Sequence, residues 1–459
     1  MTSRFQDQLN IEGKPWLQLT PWLLLVAAFL GTCAVAWAVQ LVLLPHFFPH
    51  LHAGHGMLVG GDSAGMNLTA VELAERIRKE GWSVWELRPA GNAPTGIAAA
   101  LYVFVTPEPY MLVPLNALVH AAGGMVIYLI AYLVSQNRMA SVVAALPFLL
   151  FPSAAIWYAQ IHKDGIFALG MLLCALGWMQ AFRPAFWSSA MPAYAALFLP
   201  LALGLFLVWL VRPHIMILMQ AVAIVTTVAG LLLAAFWWRL GTLQAKRAFL
   251  AAFVFVMIPV LVVLAKPSDY RVESWKGDVV ARETVMPYMP GYCLLERGAN
   301  ASADKLSSTI AAMRDFYLSG NSYKNARSNM DPDFVPGTVC NLVGYLPRAL
   351  QIGFLAPFPD AWVAEGSIPA NTVMRRVISV EMLAVYAALL FLPLALWDYR
   401  RKSEFWFVLG FCTLLTVIHV YLVPNMGTLQ RMRYGFLTAT IGLALSALAG
   451  RWSRPGRAV

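Results

Sequence analysis

At 459 residues, 59% hydrophobic and only 12% charged, this chain does not have the composition of a soluble globular protein, in which roughly a quarter of residues are charged. Its long uncharged stretches suit a bilayer, whose hydrocarbon core of about 30 Å is crossed by about 20 apolar residues. The net charge of +10 is read as lysine and arginine gathered on cytoplasmic loops and near anionic lipid, not as a nucleic-acid surface.

Backbone inside lipid must satisfy its own hydrogen bonds, and the alternating pattern of a membrane barrel is absent, so the apolar stretches are predicted to be helices. The first, 21–45, is too long and too poorly flanked for a cleaved signal peptide and is read as a retained span. A polar loop follows over 46–110. It holds four histidines, a predicted helix over 67–79, and an apolar run at 96–105 too short to cross. Spans are then predicted at 111–134, 140–157, 164–182, 191–211, 213–238 and 248–265. A second polar region, 266–376, has helical spacing over 302–319 and a short apolar run at 350–358. Three last spans are predicted at 377–397, 405–423 and 434–450. The fold class expected is an all-α polytopic membrane protein of about ten transmembrane helices, with interfacial helices and a small external subdomain. Its parts are an N-terminal bundle (1–265), an external region (266–376) and C-terminal helices (377–459).

Short connections carrying Arg138, Arg183, Arg239, Lys246, Arg247 and Arg400 to Lys402 are basic, as are both termini. The positive-inside rule makes that side cytoplasmic. The 46–110 loop, the turns at 162–164, 212–214 and 424–433, and the 266–376 region then face outward. Cys33, Cys174 and Cys412 fall in predicted helices. Cys293 and Cys340 lie in the external region, where an oxidising compartment would favour a disulfide between them.

The polar residues that could do chemistry collect on that outward side. Asp62 stands in Gly60-Gly61-Asp62-Ser63-Ala64-Gly65, either as a general base for an acceptor hydroxyl or amine or as a turn or cap residue. Lys163 and Asp164 sit between two apolar helices, where charges are costly unless paired or used. Lys163 suits a lipid phosphate; Asp164 is a second catalytic carboxylate, an orienting partner, or a helix cap. Arg431 and Arg433, with Arg212 beside His214, suit bidentate phosphate binding or interfacial anchoring. His46, His50, His52 and His55 leave a divalent metal open, although the pattern of a structural zinc site is missing. No cofactor is required by the sequence. The spans carry almost no charge apart from Glu381, which argues against an ion-coupled transporter.

The arrangement resembles the GT-C superfamily of polyprenyl-phosphate-sugar-dependent glycosyltransferases, which includes the protein O-mannosyltransferases and the lipid A aminoarabinose transferase. Asp62 matches the acidic residue of the family's first external loop, Pro94-Thr95-Gly96 its external helix, and Leu115-Asn116-Ala117-Leu118 the opening of its second helix. Pro152-Ser153, His162-Lys163-Asp164, Leu346-Pro347-Arg348-Ala349, Ala356-Pro357-Phe358-Pro359, Glu381 and Asn425-Met426-Gly427-Thr428 are similar to a bacterial subgroup associated with surface polysaccharides. The resemblance implies a bacterial inner-membrane enzyme with cytoplasmic termini and a periplasmic site. Asp62 would deprotonate the acceptor, and Lys163, Arg212, Arg431 and Arg433 would bind the donor phosphate. The acid is not doubled as Asp-Glu, as in the protein mannosyltransferases, so the acceptor (glycan, glycolipid or protein) stays open. The rival readings are a polymerase or ligase of lipid-linked glycans and a non-enzymatic flippase or scaffold.

Overall fold

The computed structural model describes residues 15–182, 192–239, 326–336 and 338–453, together with 260, 262, 307, 310–315, 317 and 318. Among these residues every regular element is helical and no strand forms. The first helix, α1 (Pro15–Ala38), runs on as a π-helix over Val39–Phe47. Two shorter helices follow, α2 (Ser63–Glu80) and α3 (Ala93–Tyr102). The bundle continues with α4 (Val113–Ser135), α5 (Arg138–Leu150), the single turn α6 (Ala155–Tyr158), α7 (Asp164–Ala181), α8 (Pro192–Val211) and α9 (Met216–Arg239). After the 240–325 region come α10 (Val339–Leu355), α11 (Pro369–Leu389), α12 (Leu392–Asp398), α13 (Ser403–Leu422) and α14 (Met426–Trp452).

Seven helices among the described residues are long and apolar enough to cross a membrane, or eight if the bent pair α5–α6 counts as one span. The chain is therefore a helical protein of polytopic membrane type. The expected span at 248–265 lies, apart from residues 260 and 262, outside the described residues. Several expected boundaries change; the span expected over 377–397 starts at Pro369 and continues after Leu389 as the short α12. The helix expected over 140–157 breaks by 52° around Pro152; Phe151 before that proline is extended, as the proline ring demands. The run at 350–358 is mostly the C-terminal part of the longer α10. The last helix starts at Met426, so residues 426–433 are helix and not turn.

The core is built around α14, which packs against α4, α5, α7, α11, α12 and α13. A helix surrounded on all sides normally reads as uniformly apolar, but α14 buries Thr438, Thr440 and Ser446. Their hydroxyls donate back to carbonyls of the preceding turn (Tyr434, Phe436, Leu443), so they need no partner from elsewhere. Small residues set the closest helix approaches. A Cβ on Gly442 would sit 2.5 Å from the Ala144 carbonyl of α5, and one on Gly204 of α8 would sit 2.6 Å from the Gly170 carbonyl of α7.

Chain direction places the π-helix, the starts of α4, α7, α9, α11 and α14, and the ends of α8 and α13 at one end of the bundle. The α2–α3 layer covers that end, and Ile161 from the turn before α7 joins its apolar core with Met66, Leu73, Ala98 and Tyr102. Residues 328–330 are bonded there to 424–426: Met330 N donates to Pro424 O and Met426 N to Ser328 O. Arg138, Arg239, Arg400 and Arg451 collect at the opposite end, where Arg451 pairs with Asp398.

Candidate functional site

The turn between α6 and α7 is the hub of the covered end. Gln40 of the π-helix donates to Ala159 O and Asn116 of α4 to Gln160 O. Gln160 reaches into the 46–110 segment, donating to Gly56 O and accepting from Leu58 N. Lys163 Nζ lies 3.4 Å from the side-chain oxygen of Asn92, which precedes α3. A buried turn cannot rely on water for its polar groups, so each long-range bond both satisfies and fixes it.

Asp164 opens α7, where the helix dipole favours a carboxylate, and is 1% exposed. Three cationic or ring side chains surround it. Arg212, in the turn after α8, places Nη2 2.5 Å from Oδ1, and its guanidinium lies over the Phe167 ring at 5.1 Å. His162 Nδ1 is 2.9 Å from Oδ2. Arg431 of α14 is 3.5 Å from Oδ2 and 2.6 Å from His162 Nε2. Arg88, from the 46–110 segment, donates to the carbonyls of Trp209 and Leu210 and stacks on Trp209, holding that segment over the end of α8 next to Arg212. Among the described residues, two arginines face this one carboxylate, so the cluster holds an excess of positive charge.

The expected site residues divide. Lys163, Asp164, Arg212 and Arg431 come together. Asp164 is 1% exposed and ringed by Arg212, His162 and Arg431, a burial that sets it apart from the catalytic carboxylate expected from the sequence. Asp62 belongs to the same end, four residues after Leu58. It is exposed, and its side chain makes no capping bond to α2. Arg433 does not join the cluster. Two residues apart on a helix are turned by about 200°, so it faces away from Arg431. It is fully buried, and its guanidinium donates to the carbonyls of Ile352, Gly353 and Ala356 and to Gln430 Oε1. It thus satisfies the end of α10, not a ligand. The start of α14 conceals this in sequence, because Gln430, Arg431 and Arg433 read as a polar loop.

The histidines do not converge either. His52 Nε2 accepts from Gly56 N, His55 faces Glu108 at 2.9 Å, and His46 and His50 are exposed. Among the described residues no group of three or more His, Cys, Asp or Glu side chains is arranged to hold a metal ion. Cys33, Cys174 and Cys412 are free and buried; Cys340 is not among the free thiols, and Cys293 lies outside the described residues.

Two groups that the sequence names only within motifs gain their partners from the fold. His162 links Asp164 to Arg431. Glu381 of α11 is buried and accepts from Ser153 N at 2.5 Å, so it caps the break in α5–α6 from a distant part of the chain. Its other oxygen has no hydrogen-bond partner among the described residues. No family model matches the chain, and neither a curated protein nor a solved structure matches it.

Proposed function

We propose that this protein is a membrane glycosyltransferase that moves a sugar from a polyprenyl-phosphate donor to an acceptor at the outer face of a bacterial plasma membrane, in the building of a cell-envelope glycan or glycolipid. The observation that carries this reading is the excess positive charge held, among the described residues, at one end of an otherwise charge-poor bundle, beside the starts of the membrane-length helices α7 and α14. Arg431 and Lys163 would neutralise that phosphate as it leaves. The acceptor hydroxyl gives its proton to Asp62, its oxygen bonds to the anomeric carbon, and the bond from that carbon to the phosphate oxygen breaks, inverting the centre. The proton ends on Asp62 and the electron pair on polyprenyl phosphate. The resemblance to the GT-C transferases through Asp62 and the His162-Lys163-Asp164 run supports the same reading.

The test is release of polyprenyl phosphate from polyprenyl-phosphate monosaccharides by the reconstituted protein, given an envelope extract as acceptor. Asp62→Asn should lower kcat by about 10²–10⁴, the usual worth of a general base. A folded Asp62→Asn protein with full activity removes Asp62 from the mechanism. Turnover only of pyrophosphate-linked oligosaccharides makes the protein a polymerase or ligase instead.

A further inference from the structure

We infer that His162 is a positioning residue whose ring aims Arg431 at an anionic phosphate ester; the choice of ligand rests on the transfer reading above. The ring is buried, with 3% of its side chain exposed, and its two nitrogens meet groups of opposite character. Nδ1 lies 2.9 Å from Asp164 Oδ2 and 3.4 Å from the backbone N of Asp164. Nε2 lies 2.6 Å from Arg431 Nη1, which only donates, so Nε2 offers its lone pair. The ring is therefore held between Asp164 on one side and Arg431 on the other.

The chain of contacts runs from the buried Arg212 through Asp164 and His162 to Arg431, whose side chain is 22% exposed. A guanidinium is a rigid planar fork. Its Nη1 is held by His162, and its Nε lies 3.4 Å from Gly427 O one turn back on α14. These two contacts set the direction of Nη2, which has no acceptor among the described residues. The direct approach of Arg431 to Asp164, at 3.5 Å, is longer than the contact to His162, so the ring does the aiming. The charged groups around the ring are Lys163 and Asp164 of its own turn, Arg212 from the turn after α8, and Arg431 from α14.

The test measures equilibrium binding of two probes, a polyprenyl phosphate and inorganic phosphate, to the full chain in nanodiscs, so turnover is not needed. His162→Ala should weaken polyprenyl phosphate binding roughly tenfold, the scale of one hydrogen bond to a charged group. The same substitution in an Arg431→Ala background should cost nothing further. His162→Gln, whose amide oxygen reaches the place of Nε2, should restore most of the loss, and His162→Asn, which is too short, should not. If His162→Ala does not fold, the Gln and Asn pair decides: equal affinities overturn the inference. Additive losses from His162 and Arg431 overturn the positioning role and leave the transfer reading standing. Phosphate binding that follows the predicted pattern without any sugar transfer keeps this inference and removes that reading. Equal His162 dependence for inorganic phosphate means a free anion is the ligand; dependence for the lipid alone means a headgroup is. Binding of neither probe overturns both.

Discussion

Replacing Asp164 by alanine would leave two guanidinium groups facing a cavity that held their counter-ion. Their fates differ with exposure. Arg431 can turn its charge toward solvent. Arg212 cannot: its side chain is 7% exposed, it rests against Phe167, and its contact with Asp164 is 2.5 Å. Breaking a buried pair by removing one partner costs about 3–5 kcal/mol, because the remaining charge is uncompensated. Removing both partners avoids that penalty. Asp164→Leu combined with Arg212→Met should therefore recover most of the loss caused by Asp164→Leu alone. Asp164→Asn, which keeps an acceptor for Nη2 but not the charge, should fall between, at about 2 kcal/mol. The assay is equilibrium unfolding in mixed detergent micelles, carried out as a double-mutant cycle. A loss below about 1 kcal/mol for Asp164→Ala, or strict additivity of the Leu and Met substitutions, would refute the claim that these charges depend on each other.

Asp331 gives a pH prediction. Burial raises its carboxyl pKa, but hydrogen bonds from Arg348 and Tyr345 and the charges of Arg348 and Arg314 outweigh that and hold it below the ordinary value of 3.8. A depressed carboxylate contributes stability that is fully present above its unfolded-state pKa and disappears as pH falls through the folded one. Hydrogen-exchange protection of residues 328–330 should thus be flat across neutral pH and drop only in acid, and Asp331→Asn should lower it at pH 7. Gly442→Ala should destabilise by about 1–3 kcal/mol through overpacking against the Ala144 backbone. Gly450→Ala, whose new Cβ would lie 4.0 Å from Ala140 Cβ, should be neutral or slightly stabilising, as read by thermal melts of the two variants side by side. Arg433→Ala and Arg433→Lys should both fail to accumulate as folded protein, since three carbonyls lose a planar partner in the first and an ammonium cannot match that fork in the second. Arg431→Ala should accumulate normally by size-exclusion chromatography.

What the sequence made legible follows from how its signals arise. Long apolar runs announce helices because lipid and helical hydrogen bonding leave little alternative, and α4, α7, α9 and α13 lie close to the expected ranges. Asp62 ahead of α2 was readable from its glycines and the helical spacing after it. The start of α14 was not. Its polar side chains signal a loop by composition, and only the packing of α10 and residues 328–330 over that turn makes burial affordable. The break at Pro152 was written in the proline, but apolar residues on both sides concealed it. The partners of Asp164 were beyond reach because Arg212 and Arg431 come from distant parts of the chain. A list of charged residues gives the members of such a cluster without the pairing.

That pairing separates the site from other buried arginines. Arg314 and Arg433 are also buried, and each gives most of its donors to backbone carbonyls: Arg314 to Phe334, Val420, Met330 and Asp331, Arg433 to the end of α10. Carbonyl partners anchor backbone; they hold one geometry and offer nothing to a ligand. The Arg212–Asp164–His162–Arg431 chain is built from side chains and does not balance its charge. Buried ion pairs are weak contributors to stability, and apolar residues of similar volume often serve the fold equally well. A cluster that keeps excess positive charge and opens at Arg431 is costly as scaffold and suited to an incoming anion. Asp62 lies exposed on the same end and makes no capping bond to α2, whereas Asp164 is buried among its cationic neighbours.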